Sequence, residues 1–119
     1  MNKREFLKDI MTLRLGKLRE KYPPSFFNGT IGELIQVAQD LTPNLLIDNS
    51  WKGDFTDRRP FYLSSTDTGY EVFGNSERGG KDWAVFYNDW NSAAFDFLDR
   101  FLNELGHAAP DSIINKKSY

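Results

Sequence analysis

Apolar residues in the first third of the chain recur with the period of a helix. Between residues 3 and 21, Phe6, Ile10 and Leu13 fall on one line and Leu7, Met11, Leu15 and Leu18 on the next, with no proline among them. The spacing predicts one amphipathic helix over 3–21. "YPP" at 22–24 stops it, because proline disfavours helical geometry in the residue before it. Thr30 followed by Glu33 has the spacing of a capping box, and Ile31, Leu34, Ile35, Ala38 and Leu41 continue at helical intervals as far as Pro43.

After Asn44 the period shortens. "NLLI" at 44–47 reads as a short strand, and "DNSWKGDFTDRRP" reads as a loop. "FYLSS", "YEVFG" and "KDWAVFY" alternate with the turn segments "TDTG" and "NSERGG", which predicts an antiparallel meander. In the last two strands aromatic residues fall on both faces. Val72, Phe73, Trp83 and Val85 are expected in the core. The helical period then returns in Phe95, Leu98, Phe101, Leu102 and Leu105, with Ser92 as the expected N-cap and Gly106 at the left-handed position that ends many helices. The tail from His107 is expected at the periphery, with Ile113 and Ile114 able to pin it.

These elements predict a single α+β domain over residues 1–119. Two N-terminal helices precede an antiparallel sheet of three to four strands, and a C-terminal helix packs on that sheet. A chain of 119 residues can bury one modest core without covalent staples.

Charge adds an asymmetry. Residues 1–22 carry seven Lys/Arg and three acids, whereas the remainder carries eight Lys/Arg and fourteen acids. An acidic body favours a basic partner and disfavours nucleic acid. The basic first helix reads as a solvated face. The chain has no cysteine, which removes disulfides, thiolate metal sites and a cysteine nucleophile. The N-terminal residues lack a signal-peptide pattern, and no apolar run approaches a membrane span. The expectation is a cytoplasmic protein, a monomer or weak dimer, that contacts neither membrane nor nucleic acid.

No catalytic set emerges. The single histidine, His107, follows the helix-ending glycine, where a contact with the C-terminal end of the helix is its simplest role. The segment from Asp48 places Gly53 sixth, as a calcium loop requires, but Lys52 and Arg59 stand where oxygen ligands belong. "RGGK" at 78–81 lacks phosphate-loop spacing. We therefore expect no cofactor, no metal and no enzymatic activity. What remains is a surface of aromatic and acidic residues suited to binding a protein: Trp51, Asp54, Asp57, Asp67, Glu71, Glu77, Asp82, Asp89 and Trp90.

The segment "PFYLSSTDTGYEVFGNSERGGKDWAVFYNDWNSAAFDFLDRFLNEL", residues 60–105, resembles the C-terminal half of the SUKH superfamily. The likeness lies in the "GYEVF" strand, the Trp-bearing strand and the helix in which Ser92, Phe95, Phe97 and Leu98 occupy similar places. Many bacterial members are immunity proteins that bind and neutralise a toxin domain, often a nuclease. The resemblance implies stoichiometric inhibition of a cognate, basic protein toxin. Two alternatives come from other classes. One is a small ligand-binding or enzymatic domain with a pocket between helices and sheet. The other is a regulatory adaptor acting through the N-terminal helix.

Overall fold

The computed structural model describes residues 2–24, 27–42, 45–54, 59–76, 78–107 and 109–114, and in it the first apolar period is broken at Leu13. The expected single helix is two: α1 (Lys3–Thr12) and α2 (Leu15–Lys21), joined through the extended residues Leu13 and Arg14. The reason lies in the contacts that the break permits. Lys21 Nζ reaches Glu5 at 2.7 Å and Asp9 at 2.8 Å, and the Tyr22 ring meets Phe6 edge-on at 4.9 Å. In a continuous helix, sixteen residues would separate Lys21 from Glu5 by about 24 Å. The turn between α1 and α2 thus folds the basic end of one helix onto the acids of the other.

Helix α3 (Ile31–Leu41) begins as its sequence predicts, with the Thr30 side chain accepting from the Glu33 amide at 3.1 Å. It buries Ile31, Leu34 and Ala38. Within the segment expected as a fourth strand, Leu45 and Leu46 form a turn instead, with Leu45 N–H donating to the Thr42 carbonyl. Leu46 is nevertheless fully buried. Its residues are apolar because the turn packs inward, which periodicity cannot tell from a buried strand.

Strands β1 (Phe61–Ser65), β2 (Tyr70–Asn75) and β3 (Lys81–Tyr87) form an antiparallel sheet in the order β1-β2-β3. The register places Leu63, Val72 and Val85 side by side, as it does Phe61, Gly74 and Trp83. This face receives α4 (Trp90–Glu104), where the Phe101 ring meets Phe61 edge-on at 5.4 Å. The architecture is therefore α+β, with the C-terminal helix packed on the sheet. Val72 belongs to this core and Trp83 packs against it, but Phe73 does not. It is buried on the opposite face, stacked on Tyr62 at 5.5 Å, met edge-on by Trp51 at 5.1 Å and covered by Lys81 Nζ at 4.3 Å.

The N-cap of α4 lies three residues before the expected Ser92. Asp89 is the N-cap and accepts from both the amide and the hydroxyl of Ser92, each at 2.9 Å. The Ser92 amide and then its hydroxyl hold the Asp89 carboxyl below the usual carboxylate range. The helix ends as the glycine predicts. Gly106 has φ +84°, its amide reaches the Asn103 carbonyl, and the His107 amide reaches Leu102. These bonds form a Schellman motif.

Gly74 leaves room for the Trp83 indole of the neighbouring strand. A Cβ there would lie 2.7 Å from Cε2 of the Trp83 indole and closer still to its Nε1. Replacing an interior strand glycine with alanine normally stabilises a protein slightly. Here Gly74→Ala is expected to destabilise by about 2 kcal/mol, as overpacking does. Urea denaturation of the two proteins checks the sign.

Candidate partner interface

The two edges of the sheet differ. Beyond β1, the Asp48 amide donates to the Leu63 carbonyl at 2.8 Å, and the Asn49 side chain pairs with the amide and hydroxyl of Ser65. That edge is covered. Beyond β3, no backbone hydrogen bond is made among the described residues. The middle of β3, Trp83–Tyr87, carries no charge, and Phe86 is 69% exposed. An uncharged, aromatic-rich edge of this kind readily pairs with another strand.

Beside that edge, on the helix side of the sheet, lies a groove of about 690 Å³. Val85 and Tyr87 form its sheet wall, and Ile35 projects from α3. Phe95, Asp96 and Arg100 of α4 form the floor, and Ile113 and Ile114 close the far side. Sequence periodicity counted Phe95 in the buried stripe of α4. The buried residue is Phe97, and Phe95 is half-buried against the groove.

Three polar side chains in the groove, Tyr87, Asp96 and Arg100, are tied together. Tyr87 Oη donates to Asp96 at 2.6 Å, Arg100 Nε donates to the same carboxylate at 2.6 Å, and the guanidinium lies 3.8 Å from the Trp83 ring centroid. Burial and the Asp96 carboxylate raise the Tyr87 phenol above its ordinary range, so it stays a proton donor at neutral pH. Asp99, 2% exposed, accepts from Ser112 Oγ at 2.5 Å and from the amides of Ile113 and Ile114. Asp111 in turn accepts from the amides of Ile31 and Gly32 at the start of α3. The C-terminal segment, expected at the periphery, is therefore clasped at two points and forms a wall of the groove. The aspartates gave no periodic signal, because each bonds to residues distant in the chain.

The sequence-predicted binding residues do not form one patch. Asp82 lies exposed at the start of β3 and Asp89 exposed beyond its end, so these two bracket the open edge. Asp67 is exposed in the β1–β2 turn. Asp54 lies at the opposite end of the sheet, where the Gly80 amide reaches the Gly53 carbonyl. Glu71 is 8% exposed and held by Lys81 at 2.6 Å. Trp51 covers Phe73 and donates from Nε1 to Asn75 at 2.9 Å. Trp90 is half-buried at the first turn of α4, and its Nε1 is buried without an acceptor among the described residues. Asp57 and Glu77 lie outside the described residues. Sequence reasoning missed Val85, Tyr87, Phe95, Asp96 and Arg100, since groove walls from separate elements leave no shared spacing.

His107 does not sit on the surface at a helix end. It is 4% exposed against the Phe27 ring at 6.0 Å, and neither ring nitrogen has a hydrogen-bond partner among the described residues. Burial pulls the imidazole below its ordinary range, against a smaller opposing pull from the Tyr22 backbone. The unfolded chain therefore binds the proton more readily. Stability is expected to fall as pH drops through the ordinary histidine range near 6.5, by at most about 1.4 kcal/mol per pH unit, and to level off below the folded value. His107→Leu should flatten this slope between pH 7 and pH 5 in thermal unfolding.

No family model, curated protein or solved structure matches the chain. Among the described residues, no three histidine or acidic groups converge as metal ligands would, and no helix is long and apolar enough to cross a membrane.

Proposed function

We propose that the chain is a binding protein that neutralises a basic protein toxin stoichiometrically, as immunity proteins do, without performing chemistry. The observation that carries this reading is the open edge of β3, uncharged from Trp83 to Tyr87, beside a groove with apolar walls. A strand edge left bare is a liability unless a partner covers it. The acidic excess beyond residue 22 and the resemblance over residues 60–105 support a basic, toxin-like partner. Buried aromatic contacts would slow release, and charge would speed encounter. For the adaptor alternative, Lys3 and Lys17 pair with acids of this chain, whereas Arg4, Lys8 and Arg14 stand exposed; reversing the charge of all five should leave toxin capture unchanged. The test is a pull-down from the native host with the tagged chain as bait. Recovery of one basic protein at equal stoichiometry is expected; clean monomer without a partner would sink the reading.

One observation favours a second reading. The groove volume lies within the range of small-molecule sites, roughly 300–1,000 Å³. The terminal nitrogens of Arg100 make no hydrogen bond among the described residues. A ligand-binding domain would take an apolar molecule with an acceptor group there. Thermal-shift screening of small carboxylates would reveal it.

A further inference from the structure

The geometry points to a specific mode of capture: the partner adds an extended segment to the outer edge of β3, and that segment has an apolar middle and basic ends. This rests on the protein-binding reading above and names the chemistry of what is bound.

Strand pairing fixes which backbone groups are offered. The Asn75 amide donates to the Pro60 carbonyl at 2.9 Å, and Thr66 donates to Gly69 at 2.8 Å. In an antiparallel ladder these bonds turn residues 71, 73 and 75 of β2 toward β1, and residues 70, 72 and 74 toward β3. The β3 partners of that second set are Tyr87, Val85 and Trp83. Their amides and carbonyls are therefore spent on β2. Those of Ala84 and Phe86 point outward, at the free edge. A segment pairing there would place alternate side chains over the groove, next to Val85 and Tyr87, and the others beside Phe86.

Charge selects between occupants. Asp82 and Asp89 stand exposed at the two ends of the edge. They are separated by about 23 Å if the seven intervening steps are extended. A second copy of this chain, pairing antiparallel through β3, would bring Asp82 within one residue of the position opposite Asp89 of the other copy at both ends. Two carboxylates brought that close repel each other even when they are not directly opposite. A segment with Lys or Arg at each end meets the same two acids favourably.

The probe is a blocked octapeptide of alternating valine and threonine with a lysine at each end, titrated into the full-length ¹⁵N-labelled chain. Two further peptides have glutamate ends, or N-methyl groups on every interior amide, which blocks both of the peptide's edges. The lysine-ended peptide is expected to shift and protect the amides of Ala84 and Phe86 more than that of Val85. The glutamate-ended peptide should bind at least about tenfold more weakly, and the N-methylated one not at all. Ala84→Pro removes an outward amide and should abolish the effect. Proline is tolerated on an edge strand whose N–H faces outward. Phe86→Lys, at an exposed position, is the second variant should the first not fold; it places a like charge beside the lysine-ended peptide and should weaken binding likewise. Absence of shifts at millimolar peptide overturns the inference, as does equal binding of the N-methylated peptide. Sedimentation showing a dimer abolished by Phe86→Lys would assign the edge to a second copy and overturn it too. A host protein captured equally by the wild type and Ala84→Pro sinks strand addition and leaves the toxin-binding reading standing.

Discussion

Asp99→Ala is expected to destabilise the protein by about 3–4 kcal/mol. The Asp99 carboxylate is buried, and three donors converge on it: the Ser112 hydroxyl and the amides of Ile113 and Ile114. Removing the acceptor leaves those donors without a partner, at a cost of about 1–3 kcal/mol for each that stays dry. The segment escapes part of that cost by peeling away, which holds the total below the sum. Hydrogen exchange distinguishes this from general loosening. Protection at Ile113 and Ile114 should collapse, while amides of β2 lose only what the global change requires. Ser112→Ala in the Asp99→Ala background should add little, because its hydroxyl has already lost its acceptor. Full additivity would show that the two do not act together.

Arg59→Ala is expected to cost about 3 kcal/mol, or roughly 10–15 °C in Tm for a domain of this size. The guanidinium, with its side chain 14% exposed, donates to Asp48 at 3.0 Å, touches Met11 Sδ at 3.2 Å and lies 5.4 Å from the Tyr62 ring centroid. It thereby joins α1, the segment beside β1 and the second face of the sheet. Burial pulls the guanidinium below its ordinary value, against the pull of Asp48. Burial alone would raise Asp48, yet the Ser50 bonds and the nearby Arg59 hold it below the usual carboxylate range. Truncation removes the cation and opens a void beside Tyr62. Arg59→Lys should recover little, since an ammonium cannot present two donors in a plane. Arg59→Met keeps the stem packed on Met11 and Tyr62 and should fall between. A neutral Arg59→Met would mean that desolvation cancels the ion pair.

Local signals were legible in the sequence because their causes are local. The Thr30–Glu33 cap, the meander and the glycine at 106 each depend on residues a few positions apart. The break at Leu13 was not legible. Its cause is Lys21 returning to Glu5 and Asp9, and a continuous apolar stripe hides that return. Phe73 and Trp51 read as candidates for core and binding surface respectively, yet they pack against each other on the second face of the sheet. Composition could not assign that face. Asp82 and Asp89 were legible as exposed acids, but only the sheet order reveals that they flank a bare edge. The groove walls come from α3, β3, α4 and the C-terminal segment, so no window of sequence contains them.

The link between Asp111 and the start of α3 has a consequence for synthesis. The Ile31 amide and its acceptor are 80 residues apart. At roughly 5–20 residues per second, the start of α3 is synthesised some 4–16 s before the Asp111 that caps it. Over most of the same interval Leu34 and Ala38 lack α4, the helix that shares their core. The first half of the chain is thus made well ahead of the half that covers it, and the apolar face of α3 stays without its cover until the clasp can close.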